Sequence, residues 1–163
     1  MEIHLSKRSV TRIRERIVQL TPRLWGQSFD DCVKRINEYI VGWLSHFHVC
    51  TEKGAEEFRP LDAHIRRRLR AIQLRQWKTK RTIINRLITL GIRKETARKS
   101  LGRNHAWWAM SGCLQVSLGL RPAYLAKRGL VSIWDKWHAR HVEQPLVLVQ
   151  QWLQAQLPQQ QSS

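Results

Sequence analysis

The residues from His64 to Arg81, HIRRRLRAIQLRQWKTKR, concentrate the most potential chemistry. Eight of the eighteen are Arg or Lys and none is Asp or Glu. Such side chains neutralise phosphates and release counterions, which gives affinity for a polyanion whatever its sequence. Guanidinium planes and an indole ring, here Trp77, add stacking on unpaired bases, a mode suited to RNA loops and single strands. The candidate nucleic-acid-binding residues are Arg66, Arg67, Arg68, Arg70, Arg75, Trp77, Lys78, Lys80 and Arg81, with Trp108 as a second aromatic element. Lys7, Arg8, Arg12, Arg14 and Arg16 form a further basic group, balanced by acids nearby.

Catalytic arrangements are harder to find. Asp30 and Asp31 are adjacent, a pattern better explained by a helix N-terminus than by a two-metal site. His46, His48 and Cys50 alternate within a helical pattern and so point in different directions. His138 and His141 share a helical face without a third ligand. There is no Gly-rich phosphate loop and no GxSxG. Cys32, Cys50 and Cys113 make no CxxC pair and read as buried, reduced thiols. Neither a catalytic residue, a metal nor a cofactor is expected, and the chemistry indicated is binding.

The charge distribution agrees. The net charge is +17, but residues 1–62 hold ten basic and nine acidic side chains. Residues 63–134 hold seventeen basic side chains and one acid, Glu95. An excess confined to the middle of the chain reads as a surface for a polyanion rather than a tail. An anionic membrane is the rival partner, but no uninterrupted apolar run reaches about 18 residues. The N-terminus lacks the apolar core of a signal peptide. A cytoplasmic, non-membrane protein is expected.

The elements that must carry these residues are helical. Val10, Ile13, Ile17 and Leu20 recur at helical spacing behind Ser6, an N-cap candidate, and Thr21-Pro22 ends the segment. A second helix starts near Ser28 and carries Val33, Ile36, Ile40, Trp43, Leu44 and Phe47. Thr51 to Pro60 reads as a loop. The third helix has Leu61, Ile65, Leu69 and Ile72 within an arc of roughly 80°. Arg66, Arg67, Arg70, Lys78 and Arg81 lie opposite, with Leu74 and Trp77 among them. Shorter helices are expected to end at Gly91, at Gly102, at Gly119 after a run from about Asn104 to Leu118, and near Gly129 after a start at Pro122. No strand is indicated. Leu146 to Leu153 is apolar, and Pro158 to Ser163 reads as a disordered tail. The fold class is all-α, a three-helix bundle followed by several shorter helices. The expected divisions are 1–78, a short-helix basic extension over 79–140, and an apolar helix with a Gln-rich tail over 141–163.

INEYIVGWLSHF (Ile36 to Phe47) followed by LDAHIRRRLRAIQLRQWK (Leu61 to Lys78) resembles the maturase-specific region of group II intron-encoded proteins. The matching features are Gly42-Trp43 with Phe47, the block Arg67 to Arg70, then Gln76-Trp77-Lys78. Leu90-Gly91, a Trp-rich helix reaching Ser111, Tyr124-Leu125 and Gly129-Leu130 continue the resemblance, which spans about residues 6–134. It implies a thumb-like helical unit, domain X, that grips structured intron RNA and stabilises its active fold while the RNA does the splicing chemistry. Longer members carry a reverse transcriptase palm ahead of this unit and an endonuclease after it. Their metal and Cys/His signatures are missing from this sequence, so neither reaction is expected of this chain alone. The implied partner is group II intron RNA, with a DNA target and a separate reverse transcriptase chain as further candidates. Three alternatives stand beside this reading: the thumb of a split reverse transcriptase, a DNA-target binder, and a remnant of a mobile element.

Overall fold

A computed structural model describes residues 2–24, 26–101 and 106–156, and every regular element among them is helical. Helix α1 (Lys7–Leu20) starts as expected at Ser6, whose hydroxyl accepts the Ser9 N–H. Helix α2 (Phe29–Phe47) starts at Ser28, which accepts the Asp31 N–H, and Asp30 and Asp31 occupy its positive first turn. The expected loop from Thr51 to Pro60 is instead largely helical: α3 (Glu52–Ala55) leads into α4 (Phe58–Gln76). The apolar side chains decided this, since Ala55 and Phe58 are fully buried. Pro60 is tolerated because it falls in the first turn, where a backbone N–H has no helical partner.

Helix α4 ends at Trp77, and Lys78 takes a left-handed φ of 60°. The chain then enters α5 (Lys80–Thr89), capped by Thr79. Gly91 and Gly129 both have positive φ and terminate their segments as their sequence positions predict. Helix α6 (Lys94–Leu101) follows; the Gly102 terminator lies outside the described residues. The single helix expected from Asn104 to Leu118 is, within its described part, two: α7 (Trp107–Ser111) and α8 (Leu114–Gly119), broken at Gly112 and Cys113. The break lets Met110 and Val116 bury in one cluster. Helix α9 (Pro122–Lys127) has Pro122 in its first turn, as expected. Helix α10 (Ile133–His138), which the sequence pattern does not single out, passes through one π-helical turn (Ala139–Glu143) into α11 (Gln144–Gln156). Leu146 to Leu153 lie on α11 and their apolar side chains are exposed. The tail from Pro158 lies outside the described residues. No described helix is long and apolar enough to cross a membrane.

Two cores hold these elements. The larger joins α1, α2 and α4 through Ile13, Ile17, Ile36, Ile40, Leu61, Ile65 and Leu69. Each such side chain contributes about 1.5–3 kcal/mol on burial. Leu125, Ile133 and Trp137 return to this core from α9 and α10, so the packing crosses the expected division at residue 78. Asn37 latches the return by donating to the Gly129 carbonyl (2.7 Å) and accepting from the Val131 N–H (3.0 Å). Asp62 supports α10, accepting from Ser132 Oγ (2.8 Å) and from the Ile133 and Trp134 N–H groups (2.8 and 3.0 Å). Burial still raises its pKa: desolvation outweighs the lowering by those hydrogen bonds and by Arg66. The smaller core collects Leu74, Ile83, Leu87, Ala97, Met110, Val116 and Leu120. Leu74 sits about 180° around α4 from Ile65, so α4 feeds both cores.

Candidate nucleic-acid interface

The side of α4 turned away from the bundle is therefore not the open basic face its sequence implies. Helix α7 packs along it, and the positive side chains are divided by that packing. Arg68 and Arg70 turn inward. Arg68 donates through Nε to Thr21 Oγ1 (2.9 Å) and through Nη2 to the Thr21 carbonyl, tying α4 to the end of α1. Arg70 donates through Nε to the Leu120 carbonyl (3.0 Å), tying α4 to the smaller core. Burial lowers both pKa values, with Arg23 repelling Arg68 and Arg66 repelling Arg70. These two guanidiniums act as structural clamps.

Trp77 is half-buried and packs against the smaller core rather than standing among exposed cations. Arg75, Lys78 and Arg81 are exposed, and Lys80 is half-buried at the start of α5. Arg66 borders a cleft with Asp62 and Trp134. Beside it Arg59, absent from the sequence-derived set, lies over the Trp134 ring at 4.1 Å.

The remaining residues converge. Arg67 lies 4.3 Å over the Trp108 ring and Arg68 stands 5.6 Å from it. Trp108 is 37% exposed, so one part of its indole meets these cations while another meets solvent. Gly112 leaves room for the guanidinium, since a Cβ there would stand 3.2 Å from Arg67 Nη2. His64 lies in the same neighbourhood. Its pKa is lowered first by burial and then by the charges of Arg14, Arg68 and Arg67. Arg23 adds its charge beside Arg68. Among the described residues none of these arginines has an acidic partner, whereas Glu2 pairs with His4 and Lys53, and Asp30 with Arg128. Two donors at this place, Arg67 Nε and His64 Nε2, are buried without a hydrogen-bond partner.

Sequence reasoning finds Arg66 to Arg68 and Trp108 but not Arg14, Arg23 or His64 as one group. Arg14 follows Ile13, a core position, and only the crossing of α1 over α4 brings it to His64. Elsewhere, His141 stacks on Trp137 and its Nδ1 bonds the Trp137 carbonyl at 2.9 Å. No group of three metal-ligating side chains occurs among the described residues. Cys32 and Cys50 are buried, with burial pushing the Cys32 thiol up to about 12, whereas Cys113 is only half-buried.

The fold and this surface define an all-α protein in which positive charge, aromatic edges and unpaired donors gather where α1, α4 and α7 meet. Residues 10–88 match the family model of the group II intron, maturase-specific domain. The match takes in α1 from Val10 onward, α2 to α4, and all but the last residue of α5. No curated protein matches the chain.

Proposed function

We propose that this protein is an RNA-binding, maturase-like module that docks on structured group II intron RNA and assists its splicing without doing chemistry itself. The observation that carries the reading is Arg67 over the face of the half-exposed Trp108 with Arg68 beside it, neither having an acidic partner among the described residues. Concentrating like charge without a counter-ion costs stability, and an RNA backbone removes that cost on binding. Trp108 adds a stacking surface.

The test is affinity for a folded group II intron RNA, for an unrelated structured RNA of equal length and for duplex DNA, each across a salt series. A cognate advantage that persists as salt rises supports contacts beyond phosphate charge. Curves that fall together sink the reading. A second reading, the thumb of a split reverse transcriptase, is favoured by the exposed apolar side chains of α11, notably Leu146, Leu148 and Trp152. Light scattering with a palm-containing reverse transcriptase fragment tests it, and two species that never comigrate count against it.

A further inference from the structure

The two cores do not close completely against each other. The start of α2, the last turn of α4, the end of α5 and α9 surround a cleft of about 460 Å³. That size falls within the range of about 300–1,000 Å³ usual for small-ligand sites. Gln73 lines it, is 6% exposed, and has its Oε1 buried without a hydrogen-bond partner. A buried acceptor left unpaired is destabilising, and α4 places Gln73 at the wall of a cavity. Two half-buried rings, Trp77 and Tyr124, share the lining, and Tyr124 packs against both cores. Two cations complete it. Arg128 is engaged by Asp30 at 2.7 Å, while Arg86 is exposed and has no acidic partner among the described residues.

Aromatic walls, one acceptor awaiting a donor and a cation at the rim describe a planar, N–H-bearing ring attached to an anion. An aliphatic ligand would leave Gln73 Oε1 unpaired. A duplex offers no base to the cleft, because its bases are already stacked and paired. We propose that this cleft receives a single unstacked nucleobase of the bound RNA. A base N–H donates to Gln73 Oε1, the ring lies against Trp77 and Tyr124, and Arg86 meets the adjoining phosphate. The proposal rests on the RNA-binding reading above and adds to it a defined subsite, separate from the arginine group around Trp108.

The experiment uses the full chain and a hairpin RNA with one bulged nucleotide, compared with the same hairpin carrying an abasic bulge. Wild type is expected to bind the abasic RNA about tenfold more weakly, the scale of one base–aromatic stack. Gln73→Leu, checked for helicity by circular dichroism, is expected to bind the abasic RNA as wild type does and the bulged RNA several-fold more weakly than wild type, the share of the lost hydrogen bond. A 5-iodouridine bulge supplies a measurement on the unmutated protein, with photocrosslinks expected at Trp77 or Tyr124. Three results overturn the proposal: equal affinity of wild type for both hairpins, a preference that Gln73→Leu retains in full, or a crosslink that maps elsewhere. Equal affinities that persist at high salt reject the base site and leave RNA binding standing. Affinities that are all weak and collapse together with salt reject the RNA-binding reading and the subsite with it.

Discussion

The larger and smaller cores share α4 but are assembled from different material. In the larger, three long helices each bring an apolar stripe, and polar groups such as the buried Asp62 and the half-buried Arg68 are satisfied by backbone partners. In the smaller, short helices supply one to two buried side chains each. Its main polar tie to α4 is Arg70 on the Leu120 carbonyl. Long helices bury continuous stripes and cooperate. Short ones depend on what they pack against, so the smaller core is expected to open first.

The largest effects test that difference directly. Leu69→Ala is expected to cost about 3 kcal/mol and to lower the melting temperature of the whole protein. Leu74→Ala removes a side chain of equal size from the smaller core at a similar cost. Its consequence is expected to be local: faster amide exchange in α5 to α8, with the bundle amides still protected. Equal loss of protection in both regions would show one cooperative unit and break the comparison.

Next in size is Asp62→Ala, which leaves the Ile133 and Trp134 N–H groups without their acceptor and is expected to cost about 2 kcal/mol in thermal unfolding. Asn at this position keeps an acceptor and should lose less. Arg70→Met preserves most of the apolar stem but abandons the Leu120 carbonyl. A loss of about 1 kcal/mol is expected, seen first as exchange in α8.

The smallest effect is a pH dependence. His64 has a folded pKa below its ordinary 6.5, so the unfolded chain binds the proton first as pH falls. Stability contributed by the neutral ring is therefore intact above 6.5 and declines as pH drops through that value toward the lowered one. His64→Gln is expected to flatten this slope in denaturant midpoints measured between pH 7.5 and 5. An unchanged slope would place the titrating group elsewhere. Bound RNA should oppose the decline, because phosphate favours the protonated ring.

The legibility of the molecule in its sequence follows the same division. Ser6 and Ser28 are readable as caps, and Gly91 and Gly129 as stops, because each acts on its own backbone within a few residues. The stripes of α1, α2 and α4 are readable because one face of each is buried along its length. Thr51 to Pro60 misleads because Gly and Pro are loop signals, yet Ala55 and Phe58 are needed inside. The run from Asn104 misleads because helical spacing continues through Gly112, where the chain turns to fill the smaller core.

The candidate interface divides likewise. Composition alone concentrates positive charge between residues 63 and 134 and makes an anionic partner the first expectation. It does not say which guanidiniums remain available. On a helical wheel Arg67 and Arg70 fall opposite the apolar stripe and Arg68 beside it, but the wheel names no partner for any of them. Tertiary packing gives Arg68 to Thr21, Arg70 to Leu120 and Arg67 to the face of Trp108. It also brings Arg14 and Arg23 from α1 and the segment after it. Sequence determined the helices, their core faces and the sign of the charge, because these depend on residue type and near-neighbour spacing. Only the tertiary structure decided which charges serve the fold and which stay without a partner, because that depends on which carbonyls and rings distant segments bring within reach.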